Sequence, residues 1–407
     1  MSFQGVKTNK LNGGLGRTGT SDRVVCLIGG MTLTGDLAYN TKYELLDMNT
    51  AEDLGITAAT DDTNNELMHY HLSEMFRIAP ESTFFLIPVD KTKTAEELVA
   101  DDGLKAAIRS IQNVNILGMA GLATTVDKAL VDAVSFQSLV DSFLNEYLYI
   151  DGIFVEGVGP AEAITVADYD DLRTVTAPNI SYIIAQDPAV ALLKAGYAKR
   201  AAVGTVLGSI AVRKVHEDIG SVDIEEKPRL RRGEENFSLS DESRGSWLSA
   251  ALSDGTPFKT LTETEQKSLT AKGWMYAGSF NNYSGFYWNG CPTAVTKDSD
   301  YAYFNFNCIW NKAARLIRQS LIPRVRSKVP TEPDTGYLKS TWISGCESSV
   351  NAKLDDMISA GNIEDKDVYI NPAQAISEDT PLEINCQLAV GRIVHAFSVN
   401  LGLTNNL

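Results

Sequence analysis

The chain has 407 residues, 44% hydrophobic and 22% charged, enough length to bury the cores of two or three soluble domains. Its 36 basic and 52 acidic residues leave a net charge of −16, which argues against nucleic acid or an anionic membrane as the main partner. No run approaches about eighteen apolar residues and the N-terminus lacks a signal-peptide pattern, so the chain is expected to be made and kept in cytoplasm.

The first dozen residues, MSFQGVKTNKLN, carry too few large apolar side chains for a core element. Gly14, Gly16 and Gly19 follow with the spacing G-x-G-x-x-G. A dinucleotide site needs that run after a strand and before a helix, so that the pyrophosphate meets a helix N-terminus. Here the apolar run Arg23–Ile28, a strand, comes after the glycines, and Thr20 stands where a P-loop needs lysine. A flexible hinge between an N-terminal arm and a folded body is the better reading.

From about residue 20 to 215, helical and strand patterns alternate. A helix spans about 65–78, a strand 83–89 and a helical stretch 103–112. Residues 136–149 carry apolar side chains at a spacing of three and four, one helical face. GIFVEGV and NISYIIAQD read as strands, and 203–215 as an apolar helix. This alternation predicts an α/β layer with a mainly parallel sheet. Residues 221–246 are charged and poor in large apolar side chains, the pattern of a solvated loop between domains.

Residues 273–295 read as strands broken by turns, with Asn289-Gly290 the strongest turn signal. A helix from about Phe306 runs toward Pro323, and a second spans about 337–360. Three extended pieces close the chain, at 367–370, 381–390 and 392–403. Along the last, Ile393, His395, Phe397 and Val399 share one face. Such a strand either pairs within its own chain or is donated to the open edge of a neighbour's sheet.

Residues that could carry chemistry are sparse. His69 and His71 lie two apart on a helix and do not share a face, which disfavours a metal pair. Asp168, Asp170 and Asp171 fit a solvated helix start. The other histidines, His216 and His395, stand apart, and the five cysteines (Cys26, Cys291, Cys308, Cys346, Cys386) lack C-x-x-C spacing and read as reduced thiols. No nucleophile elbow or zinc motif occurs. The strongest local signal is the helix 307–328, where Lys312, Arg315 and Arg318 repeat at about 300° per step. Arg324, Arg326 and Lys328 continue it, and no acid occurs from Tyr301 to Thr331. Either these bases pair within the molecule, or they form a docking strip for an acidic partner.

With these pieces in order, the sequence resembles the sheath proteins of contractile phage tails and contractile injection systems, and most of all the short sheath-like proteins of Mu-like elements. The resemblance rests on GVKTNKLNGGLGR, on HYHLSEMFRIAPESTFFLIPV, and on the C-terminal order KGWMYAGSFNNYSGFYWNGCPTAV, DSDYAYFNFNCIWNKAARLIRQSLIP, DVYINPAQ and the closing strands. It implies an α/β (α+β overall) chain: an arm at 1–20, an outer α/β domain at 21–272 with the charged loop 221–246, an inner domain at 273–391, and an arm strand at 392–407. The subunits would polymerise as stacked hexameric rings around an inner tube and contract to drive it through an envelope. Baseplate and tail terminator proteins would be further partners; no cofactor, metal, nucleic acid or membrane insertion is implied. The arms would make the inter-subunit contacts through Val6, Leu11, Ile393, Val394, Phe397, Val399 and Leu401. Gly13, Gly14 and Gly16 would form the hinge, and Lys312, Arg315 and Arg318 would face the tube. The place of action would be the producing bacterium's cytoplasm during assembly, then a virion tail or injection particle. The rival reading is an α/β enzyme that binds a phosphate-bearing ligand at the glycine run.

Overall fold

The computed structural model describes residues 22–377, 380–399 and 401, so the glycine run and the N-terminal arm, with Val6, Leu11, Gly13, Gly14 and Gly16, lie outside the described residues. The chain divides into two compact units, up to Cys308 and from Ile309.

The first unit opens with β1 (Val25–Gly30), an apolar run whose six residues are all buried. The short β2 (Tyr43–Leu45) follows, then three helices: α1 (Met48–Asp53), α2 (Ala58–Asn64) and α3 (Met68–Ile78). Asp47 caps α1 and a Thr57–Thr60 capping box starts α2, each satisfying backbone N–H groups that a helix start leaves without partners. Next come β3 (Phe84–Val89), α4 (Ala95–Ala100), α5 (Asp102–Arg109), β4 (Ile116–Ala120), α6 (Ala129–Asn145), β5 (Gly152–Glu156) and β6 (Ile180–Ile183). Beyond these lie β7 (Ala185–Gln186), α7 (Pro188–Ala191), α8 (Val203–Ala211), β8 (Ala251–Leu252), α9 (Glu263–Ala271) and β9 (Trp274–Met275).

Seven strands form one sheet in the order β2-β3-β1-β4-β5-β6-β9, parallel except for the antiparallel edge strand β2. The expected α/β layer is therefore present, and its sheet takes in β9. Cys26, Ile28, Leu117 and Ile153 bury one face under α4, α5 and α6 through Leu98, Leu104, Ile108, Phe136, Leu139 and Phe143. Side chains alternate across a strand, so the register row Leu27, Leu86 and Gly118 looks the other way. Gly118 admits α8 there: a Cβ would stand 2.4 Å from Leu207 Cδ1. Between α3 and α8 the approach is closer still, with a Cβ on Gly204 placed 2.2 Å from the His71 carbonyl oxygen.

Two expectations need correction in this unit. The Asn289-Gly290 pair closes no hairpin: β10 (Ala277–Gly278) pairs with β11 (Tyr287–Trp288), so the turn covers 279–286. Asn289 instead uses its side chain on backbone, accepting from the Tyr276 N–H at 2.9 Å and donating to the Trp274 carbonyl at 2.9 Å. The charged loop 221–246 is likewise more than a solvated linker. Ile224, Phe237 and Leu239 are buried, the Arg231 guanidinium lies 4.3 Å from the Phe237 ring centroid, and Trp247 just beyond is fully buried.

Helix α10 (Phe304–Leu321) spans the division between the units. The second unit holds α11 (Ser340–Ser359), β12 (Asp365–Tyr369) and β13 (Asn385–Ala389), the two strands pairing antiparallel. Leu338, Ile343, Cys346 and Ile370 form its small core, flanked by Trp342, Leu382 and Ile384. The strand expected at 392–403 is absent from the described residues: 391–399 belong to no ladder. A strand exists only through a partner strand's hydrogen bonds, and 391–399 join no ladder among the described residues.

Candidate functional site

The C-terminal segment exposes its apolar side chains. Val394 is 62% exposed, Phe397 86%, Val399 81% and Leu401 91%, whereas Ile393 is half-buried. Large apolar side chains in a row rarely stay in water without a partner surface. The same unit carries a two-stranded sheet, β12–β13, whose outer edges have no ladder partner among the described residues. A sheet edge with no ladder partner and an apolar segment outside any ladder are the two halves of strand addition.

The basic helix is real, and the structure divides its charges. Lys312, Arg315 and Arg318 are half-buried on α10, and Trp310 beside them is 43% exposed. Arg324 is committed internally: its Nη2 donates to the Gly345 carbonyl at 2.7 Å and to Ser349 Oγ at 2.8 Å, fastening α11. Arg326 and Lys328 are exposed.

The residues weighed for catalysis take structural parts. His71 is buried between α3 and α8, where its Nδ1 accepts from the Gly204 N–H at 3.3 Å; burial, and to a lesser degree the Arg200 charge, pushes its pKa down to about 3. His69 faces elsewhere, 3.2 Å from Glu52. Asp168 accepts from the Thr165 N–H and Asp171 from the Arg173 N–H, each closing a short turn. No group of three metal-binding side chains occurs among the described residues.

In a parallel sheet of this order, ligands enter beyond the carboxyl ends of the strands where the order reverses, here beside β1 and β4. That place is filled from within. The buried Glu156 carboxylate accepts from the Gly121 N–H at 2.7 Å and the Ala201 N–H at 3.1 Å, and Arg200 stands 3.3 Å away. An internal anion thus takes the backbone donors that a phosphate would need. A second buried network links Glu74, Arg77 and Trp247: the pair meets at 2.6 Å, and Trp247 Nε1 donates to Glu74 at 3.1 Å. Sequence reading missed both networks, because their members stand up to 173 residues apart and share no local motif.

Two family models cover nearly the whole chain: the DUF2586 N-terminal domain matches residues 3–292 and the DUF2586 C-terminal domain residues 300–407. The chain belongs to the DUF2586 family. No curated protein matches it. Among solved structures, this DUF2586 chain is similar to the helical sheath of the anti-feeding prophage in its contracted state, with 14% identity, TM-score 0.60 and full coverage of both chains. It is also similar to the contracted sheath complex of the extracellular contractile injection system PVC, at 13% identity and TM-score 0.60, covering 100% of this chain and 98% of that one. The sheath tail protein Lin1278 from Listeria innocua matches at 12% identity and TM-score 0.50, covering 92% of this chain and 96% of its own. The α/β chain therefore has the fold of contractile sheath proteins. Among the described residues, no helix is long and apolar enough to cross a membrane.

Proposed function

We propose that this chain is a structural subunit of a contractile sheath, polymerising around an inner tube and contracting to drive that tube through a target envelope. The observation that carries the reading is the exposed apolar tail at 392–399 and Leu401, which belongs to no ladder among the described residues. The sheath fold over the full chain supports it. In this reading the tail, and the N-terminal arm with it, adds strands to sheets of adjoining subunits in stacked hexameric rings. Lys312, Arg315 and Arg318 face the tube, and baseplate and terminator proteins hold the two ends. The protein assembles in the producing cell's cytoplasm and acts in a virion tail or injection particle.

Contraction requires no ligand chemistry, since the energy resides in subunit interfaces and subunits move largely as rigid bodies. Several weak links per subunit keep the lattice connected. The rival reading, an enzyme using a phosphate-bearing ligand at the glycine run, has less support, because β1 follows the glycines where a dinucleotide site needs a helix, and Glu156 takes backbone donors beyond the sheet. Negative-stain microscopy of concentrated purified protein tests the choice. Tubes or ring stacks are the expected outcome; a small closed oligomer that binds ATP or NAD saturably refutes the sheath reading.

A further inference from the structure

We propose that Arg229 and Arg232, at the tip of the charged loop, dock on the acidic α1–α2 surface of a second copy of this chain. The proposal rests on the reading that copies assemble, and it assigns a role to the loop 221–246.

The tip is exposed and holds its shape. Residues Arg229–Arg231 form one 3₁₀ turn, and Leu230 is 83% exposed. Arg231 is spent on holding the loop: it pairs with Glu234 at 2.6 Å, donates to the Ser238 carbonyl at 2.9 Å and lies over Phe237. Behind it, Phe237 and Leu239 are buried, and Trp247 anchors the loop's end through Asp187 at 2.8 Å and Glu74. Arg229 and Arg232 are exposed and make no ion pair among the described residues. A rigid tip offering two free cations around an exposed leucine loses little entropy on binding.

The acceptor carries the opposite pattern. Residues 36–66 hold Asp36, Glu44, Asp47, Glu52, Asp53, Asp61, Asp62 and Glu66 against the single base Lys42. Glu44, Asp47, Glu52, Asp53 and Asp62 are exposed. Of these, Asp62 is met by Lys194 at 3.1 Å.

Placement completes the argument. The acidic surface adjoins the start of α3, where His69 meets Glu52 and the Tyr70 N–H donates to Asp61 at 3.2 Å. The arginine tip adjoins the other end, where Glu81, just past α3, accepts from the Arg229 N–H at 3.1 Å. Helix α3 has eleven residues, about 16 Å of rise. Two complementary patches at opposite ends of one helix lie too far apart to meet within one copy. The tip of one copy meeting the acceptor of another satisfies both.

Complementation by mixing tests this. Arg229→Glu/Arg232→Glu reverses the tip, and Glu52→Lys/Asp53→Lys reverses the acceptor. Each variant alone, folded by circular dichroism, is expected to weaken low-salt association by roughly two- to thirtyfold in sedimentation, the scale of two exposed ion pairs. An equimolar mixture restores association, because each reversed tip then meets a reversed acceptor. Unchanged association of either variant, or loss without recovery on mixing, overturns the proposal. Morphology reports separately on the sheath reading: complementing oligomers that never form tubes refute the sheath and leave this contact standing.

Discussion

Replacing Phe397 and Val399 by serine separates folding from assembly. In the single chain these side chains are 86% and 81% exposed, so little of either is shielded by its own subunit. Fully burying such a side chain is worth about 1.5–3 kcal/mol, so the covered fractions contribute only a few tenths each to the monomer. Seated against a neighbouring sheet, the two together supply about 3–5 kcal/mol per link. Serine keeps the backbone free to pair, so the ordering cost of the strand is common to both proteins and cancels. The double variant should therefore unfold within about 1 kcal/mol of wild type in urea. Its association should weaken by roughly two to four orders of magnitude. Sedimentation of assembled material against total protein, with melting curves from the same preparation, reads both quantities. A folded variant that assembles at the wild-type critical concentration refutes the donated-strand argument; a variant that unfolds markedly more easily shows that the tail covers its own subunit.

Two further outcomes follow from the same structure. Changing Lys312, Arg315 and Arg318 together to Glu should release the sheath from its tube while a single Arg→Ala is tolerated, since exposed pairs are worth about 0.2–1 kcal/mol each; undiminished co-sedimentation of the triple variant with tube removes the docking role. His71, held down to about 3 by burial, stays neutral in the fold while the unfolded chain takes up a proton below about 6.5. Stability should then fall as pH drops from about 6.5 toward 3, by up to about 1.4 kcal/mol per unit. Asp61, pushed up to about 6 by burial, acts in the opposite sense between about 6 and 4, so the test is a difference. His71→Asn, which still offers an acceptor to the Gly204 N–H, should lose stability less steeply than wild type in urea titrations across that range; identical slopes exclude the buried neutral histidine.

What the sequence determined alone was local. The buried run of β1, the three-and-four spacing of α6 and the apolar face of α3 were legible because period and burial are set within a few residues. The alternation of those elements was enough for the parallel α/β layer, and the order of the C-terminal segments was enough for the resemblance to sheath proteins. The α10 charges could be read as a set, but Arg324's bond to the Gly345 carbonyl could not, because its acceptor is on another helix. Tertiary structure decided whatever depends on partners distant in sequence. It placed β9 beside β6, filled the switch point with Glu156, and turned Asn289 from a turn residue into a cap for Tyr276. It also pinned the charged loop by Phe237 and Trp247, two aromatic side chains whose burial no local pattern reveals. The tail marks the boundary most clearly. Its alternating residues predict a strand, but a strand is completed by hydrogen bonds to another segment, and among the described residues of a single chain that segment is missing.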